Sequence, residues 1–486
     1  MIGAFPNQVS QRDRWSLGIA LAVLGLWNIL SWQFPFFWDT VLNSKIAHWY
    51  LETGFSQLFV PENLDAGHPP FFSMYLAMMW KFFGRSLAVS HIAMLPFLIL
   101  IVWQYWKLAM RFLGENSRIW ALLILFCEPT FLAQSTMLSP DLALVAFYLL
   151  ALNALLDKKR AWAAISMILM AMMSFRGILM VGGLFLSDIV IAYLQGIRKI
   201  NLKKLGAYIP VTALTLLWLA THWQHVGWIF TPPPETYGGH REVMGIAGMA
   251  RNIGLIGWRF LDSGRVFFWA WLLVRSVLAG WKIWKENASL RMMTGLFLSF
   301  TLLMMLLLTP FSNPIGHRYF MIAYLFLGLI SLKIAGNLEW RPKAVVAIAL
   351  LCIGLISGHF WVYPERIAQG WDSSLAHVPY FKLKKQMDQY LEETQLPSDQ
   401  ICADFPLLSN PYYTELLPEN KHPQYPNFLE SEARTCQLVL VSTLNNGYSD
   451  ADWTAFATDE WVVKKEFEAG QLYLKLLERN RSPNKE

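Results

Sequence analysis

Residues 16–40 read SLGIALAVLGLWNILSWQFPFFWDT. From Ser16 to Trp38 there is no Asp, Glu, Lys or Arg, and the run ends abruptly at Asp39. Roughly 20 consecutive apolar residues are what an α-helix needs to cross a hydrocarbon core, and charge is costly inside one. Arg12 and Arg14 precede the run and no small-residue cleavage site follows it, so it reads as a retained span rather than a removed leader. Met292–Gly316 and Ala344–Pro364 also lack these four residue types. The 486-residue chain is 55% hydrophobic and 15% charged, where a soluble chain carries about 25% charged residues. The fold class is therefore an all-α polytopic membrane domain.

Working outward, hydrophobic runs predict about eleven spans: 15–37, 86–110, 118–136, 141–156, 161–175, 177–195, 205–221, 263–283, 292–309, 317–334 and 343–361. Lys and Arg gather in alternate short loops, among them Lys158, Lys159 and Arg160, then Arg198, Lys199, Lys203 and Lys204. That asymmetry predicts an N-terminus inside and the other loops outside. Phe71–Gly84 is apolar, but counting it as a span would put the basic clusters outside, so it reads as an interfacial or re-entrant helix. Two large outer loops result, 39–85 and 222–258, the second containing TPPPETYGG at 231–239. The membrane domain ends near 361. Residues 362–486 are polar and form a small extracytoplasmic α/β module, with a helix over 380–393, strands over 400–405 and 437–442, and a hairpin over 461–477 turning at Ala469-Gly470.

The charges at the outer rim carry the candidate chemistry. Asp39, in FPFFWDT beside an aromatic belt, suits a proton acceptor for an incoming hydroxyl, and equally the N-cap of the following helix. In DAGHPP, the prolines and Gly67 hold Asp65 and His68 as a supporting loop, where His68 reads either as a phosphate or carboxylate partner or as an interfacial turn residue. Asp141 opens a span on the same rim behind Pro140. Glu128, followed by Pro129, is an acid deep in a span; it reads as functional or as a protonated structural acid bonded to a neighbouring helix. Arg176 is a basic residue on the side that usually lacks them and asks for an anion, either a phosphate or lipid head groups; the following Gly177 would let backbone approach a ligand. His317 and Arg318 open a later span with the same two readings. His222 and His225 read as interfacial rather than metal-binding. The four cysteines show no CxxC spacing, and Cys402 and Cys436 fall in the outer module, as one disulfide or as two free thiols. No nucleotide-binding or HExxH motif is present, and no basic stripe with interleaved aromatics points to nucleic acid.

The order of these motifs is a span with Asp39 at its exit, GHPPFFSMYLAMMWKFFG at 67–84, PDLALVAFYLLALNALL at 140–156, SFRGILMVGG at 174–183 and PIGHRYF at 314–320. It resembles the GT-C glycosyltransferases, in the branch of protein O-mannosyltransferases and lipid A aminoarabinose transferases. The resemblance covers about the first 195 residues and the neighbourhood of His317. It implies Asp39 as general base, Asp141 as the second outer acid, and Arg176-Gly177 at the family's basic turn. Thr40 stands where the family often has a second acid, which leaves a divalent metal ion open. The implied donor is a polyprenyl-phosphate sugar and the acceptor an envelope glycan, lipid or protein hydroxyl. Arg176, His317 and Arg318 would bind the donor phosphate and attack would proceed with inversion. A polytopic lipid or glycan transporter is the alternative; it would show inverted repeats, and none is evident in the sequence.

Overall fold

The computed structural model describes residues 9–197, 202–230, 241–280, 282–336, 341–363, 369–418, 425–429, 436–445 and 447–480. The proline-rich stretch 231–239, together with Arg198 and Lys199, lies outside the described residues. The first half contains α1 (Gln11–Ser31), α2 (Thr40–Glu52), α3 (Phe71–Phe83), α4 (Leu87–Phe112), α5 (Glu115–Cys127), α6 (Pro129–Ser135), α7 (Pro140–Leu156), α8 (Arg160–Met173) and α9 (Phe175–Leu194). There follow α10 (Ile209–Val226), α11 (Ile246–Leu261), α12 (Val266–Ala279), α13 (Lys282–Glu286), α14 (Ala288–Leu308), α15 (Met321–Ala335) and α16 (Arg341–Ser357). The tail contains α17 (Pro379–Thr394), β1 (Ile401–Cys402), α18 (Pro411–Thr414), β2 (Leu438–Ser442), α19 (Asp450–Phe456), β3 (Trp461–Ala469) and β4 (Leu472–Arg479).

Every expected span is helical, but among the described residues seven helices are long and apolar enough to cross a membrane, or eight counting a bent pair. The difference from eleven lies in short elements such as α8, whose 14 residues reach only about 21 Å at 1.5 Å per residue. The run 118–156 breaks twice. Pro129 cannot donate to the preceding turn, so Glu128 ends α5 and caps α6; α6 then meets α7 at 119°. The ring of helices is graded by burial. α15 is apolar all round and buried nearly all round, the signature of a central helix. α1, α10 and α12 expose apolar side chains such as Leu30, Leu217 and Leu278, the surface that lipid would cover.

In the tail, β1 pairs parallel with β2, and β2, β4 and β3 continue antiparallel in the order β1-β2-β4-β3. The hairpin turns where expected, with Gly470 at φ +63°. Cys402 and Cys436 form a disulfide, Cα atoms 6.0 Å apart. The tail core extends into the membrane part: Phe37 and Met137 pack in one cluster with Trp371, Tyr380 and Leu383, and Phe37 stacks on His377 at 5.2 Å. Phe36 and Phe37 of FPFFW are buried within protein contacts, so this stretch does not serve as a lipid-facing belt.

Candidate active site

A cleft of about 2330 Å³ opens between the bundle rim and the tail. Small-molecule sites span roughly 300–1,000 Å³, so this one has room for two substrates. Asp39, Asp65, His68, Asp141, Arg176 and Arg318 all line it; His317 does not.

Asp39 sits at the N-cap of α2, yet its side chain makes no capping bond. The carboxylate instead faces the cleft, 63% exposed. The preceding Trp38 takes φ +58°, a left-handed conformation that strains a bulky L-residue. Its ring packs edge-on against Phe405 of the tail at 5.2 Å, a contact that helps hold Asp39 turned out of the helix.

Arg318 is the centre of the site. Its guanidinium pairs with Asp39 and with Asp372, and Nε lies 3.2 Å from Asp141. Asp141 follows Pro140 in the first turn of α7, where Ser139 is the N-cap and donates its hydroxyl to the carboxylate at 2.9 Å. Arg176 begins α9, an unfavourable place for a cation against the helix dipole. Its fork on Asp141, with Nη2 3.2 Å from Oδ2, compensates, and Tyr319 covers the guanidinium at 4.1 Å. Three carboxylates and two guanidiniums thus alternate, leaving one negative charge. Burial works to raise the pKa of Asp372, but the Arg318 charge outweighs it and holds the carboxyl below its ordinary value. The acids converge on guanidinium groups that would repel a cation, so they do not fit a divalent metal ion.

The supporting loop is built by Asp65. Its Oδ1 accepts the Gly67 N–H at 2.7 Å, and Oδ2 pairs with His222 Nε2 at 2.9 Å, clamping the segments 39–85 and 222–258 together. Gly67 has φ +71°, and a Cβ there would lie 2.8 Å from Trp228 and 2.9 Å from Arg241. His225 stacks on Phe59 at 4.7 Å. His68 opens onto the cleft; the depth of the site lowers its pKa, and the Arg241 and Arg176 charges add to the effect.

Other sequence candidates have different surroundings. His317 is buried and bonds Asp262 at 2.8 Å, and Asp262 also accepts the Ser263 N–H at 2.7 Å and the Tyr363 hydroxyl. A Cβ on Gly370 would lie 2.8 Å from His317 Nδ1, so the imidazole supports the 369–373 turn from behind. Glu128 pairs with the buried Arg265 and accepts the Phe131 N–H at 2.7 Å, which makes it a paired structural acid. Gly177 faces the Met170 carbonyl, which a Cβ would meet at 1.9 Å, so its reason is helix packing and not ligand approach. Among the cleft residues that the sequence did not single out are Asp372 and Arg241. Asp372 sits in the tail. Arg241, in the segment 222–258, donates to the Phe230 carbonyl at 2.6 Å and to that of Ala66. A basic residue in an outer loop was the only signal for Arg241, and Asp372 had none.

The bundle, its broken helices and the rim cleft define a polytopic membrane protein with the GT-C fold. The solved structures that share this fold include ArnT from Cupriavidus metallidurans bound to undecaprenyl phosphate, at a TM-score of 0.54 and 12% identity over 94% of this chain and 97% of that one. The apo state of the same protein matches with a TM-score of 0.52 and 12% identity over 96% and 98%. No protein-family model matches the chain, and no curated protein matches it in sequence. At this identity the likeness is one of fold, as the sequence resemblance implied.

Proposed function

We propose that the chain is a membrane glycosyltransferase that takes a sugar from a polyprenyl-phosphate donor and places it on an envelope glycan, lipid or protein hydroxyl at the extracytoplasmic face. In this reading residues 1–361 are the catalytic membrane domain and 362–486 an extracytoplasmic module, with the N-terminus cytoplasmic. The observation that carries it is the Arg318 centre: an exposed rim carboxylate, Asp39, shares one guanidinium with two buried ones, Asp141 and Asp372. The undecaprenyl phosphate in the ArnT structure of the same fold supports a lipid-phosphate donor.

The chemistry follows from that geometry. A donor phosphate arriving at the rim competes for Arg318 and Arg176, whose planar forks match its oxygens. Asp39 is the most exposed of the three acids, so it is the least costly to release from Arg318. Freed, it accepts the acceptor's hydroxyl proton while the oxygen attacks the anomeric carbon. The bond from that carbon to the phosphate oxygen breaks on the opposite face, which inverts the configuration. Arg318 and Arg176 then stabilise the charge that builds on the departing polyprenyl phosphate. Arg241, which donates to the Phe230 and Ala66 carbonyls and lies 5.8 Å from the Phe175 ring centre, joins them as a third candidate for the phosphate. His317 acts from behind, through the turn that carries Asp372.

Mass spectrometry of polyprenyl-phosphate sugars and envelope glycans from cells lacking the protein tests this reading. One lipid-linked sugar should accumulate and one glycan modification disappear. Wild type should restore both, and Asp39→Asn neither, because positioned acid–base catalysis is worth roughly 10²–10⁴-fold. Full restoration by Asp39→Asn would remove Asp39 as base. Relocation of the lipid-linked sugar with no glycosidic bond formed would point to transport instead.

A further inference from the structure

The half of the cleft that belongs to the tail differs in chemistry from the bundle rim. Asp404 follows the β1 edge and lines the cleft at only 4% exposure. Its Oδ2 accepts the Gly447 N–H at 3.0 Å. Gly447 is needed for that approach, since a Cβ there would lie 2.6 Å from the carboxylate. The Asn445 amide fixes the loop by donating to the Asp404 and Phe405 carbonyls at 3.2 and 3.0 Å. Among the described residues no Lys, Arg or His forms an ion pair with Asp404. Burial raises its pKa, as an uncompensated carboxylate requires. A carboxylate has about four lone-pair sites, so beyond the backbone N–H groups of Gly447 and Phe405 this one can still accept from neutral donors.

Aromatic rings of the tail line the same cleft. Tyr448 and Trp453 meet edge-on at 5.4 Å, and Phe405, Tyr425 and Tyr473 line the same wall. Phe405 touches Trp38, so Asp404 and Asp39 each lie one residue from the same aromatic contact. Among the described residues of the tail, the cation that lines this wall is Lys475, whose ammonium pairs with Glu466 at 2.7 Å and lies 4.6 Å from the Tyr473 ring centre, and Asp450 adds a further acid. Phosphate, sulfate or carboxylate groups would be repelled here. Sugar rings suit it, with C–H faces against the aromatics and hydroxyls donating to the carboxylate.

We infer that the tail wall around Asp404 is the acceptor subsite and that it takes an uncharged saccharide, whose hydroxyls donate to Asp404 while its rings pack on Trp453. This rests on the glycosyltransferase reading and narrows its acceptor from glycan, lipid or protein to a neutral glycan chain. Trp38 ties the subsite to the base: a saccharide seated against Asp404 presents its next hydroxyl toward Asp39.

The test uses the full chain in nanodiscs. It is applied to an array of neutral tri- to hexasaccharides, their sulfated and phosphorylated counterparts, and unglycosylated peptides. Binding of undecaprenyl phosphate is measured in parallel. The expected result is binding of neutral saccharides with at least about tenfold weaker binding of the anionic ones. Asp404→Asn and Trp453→Ala should each weaken saccharide binding by roughly tenfold or more, since the amide loses one acceptor oxygen and the alanine loses the packing face, and leave undecaprenyl phosphate binding intact. Undecaprenyl phosphate binding with no saccharide bound, preference for the anionic glycans or the peptides, or unchanged saccharide binding in both variants would each overturn the inference. Saccharide binding without undecaprenyl phosphate binding would sustain the subsite and remove the donor reading.

Discussion

Arg176 stands between two demands, one made by Asp141 and one by a donor phosphate. Lysine keeps the charge but loses the fork. In single-turnover transfer at saturating donor, Arg176→Lys should retain part of the activity and Arg176→Ala should fall at least about tenfold, because the leaving phosphate gains charge in the transition state. Equal rates in all three would take Arg176 out of the mechanism. Asp372 makes a second prediction at this scale. Its carboxyl is held below the ordinary value by Arg318, so its contribution is present above the unfolded carboxyl range and is lost as pH falls through the folded value. Thermal unfolding should show wild type losing stability below about pH 4, converging on Asp372→Asn, which should be flatter; parallel curves would contradict this. Asp39, Asp141, Arg176 and Arg318 were legible because each is a charge at the end of an apolar run, where charge needs a reason. Asp372 was not, because its partner lies 54 residues away and nothing in the local sequence marks it.

Among the elements, the α5–α6 break is held by Glu128, whose counter-ion Arg265 comes from the start of α12; their side chains are 3% and 1% exposed. Arg265 also donates to Thr130 at 2.5 Å and lies 3.7 Å from the Tyr324 ring centre. Removing one partner of a buried pair typically costs about 3–5 kcal/mol, whereas replacing both by apolar groups is often near neutral. Arg265→Met should therefore lower the melting temperature in nanodiscs, and Arg265→Met with Glu128→Leu should recover most of the loss. A double variant as unstable as the single one would show that the pair does more than satisfy itself. The DAGHPP loop yields a similar test. Gly67→Ala meets both a positive φ and contacts below 3 Å with Trp228 and Arg241, so it should loosen the clamp between the segments 39–85 and 222–258, read as faster proteolysis of the latter. Sequence reading found the DAGHPP turn because proline and glycine act locally; it ran one span through Pro129, over 118–136, and it did not find that Asp65 pairs with His222, since that bond joins residues 157 apart.

Across the whole molecule, the tail is fastened to the rim by backbone bonds as well as charge. Phe36 N–H donates to the Thr414 carbonyl at 2.8 Å, Ser44 to that of Tyr413 at 2.7 Å, and Gln134 to that of Asp372 at 2.8 Å. The tail must then lie on the same side as Asp39. Reporter fusions after Lys159 and after Ser357 should report opposite compartments, with Ser357 outside; the same compartment for both would overturn the proposed orientation. Several features of the chain were settled by local or periodic chemistry and could be read directly: the polytopic helical class, the short apolar helix over 71–83, the tail hairpin, and the rim charges. Apolar run length, proline and glycine constraints and strand alternation need no knowledge of distant partners. Other features were decided only by tertiary packing. The FPFFW stretch is a docking site for the tail because Phe37 finds Trp371 and His377 there. Arg318 is a shared counter-ion because three helices and a tail turn bring Asp39, Asp141 and Asp372 to one guanidinium. Whether a buried charge serves as base, counter-ion or support depends on what lies within a few ångströms of it, and those neighbours come from segments far apart in the chain.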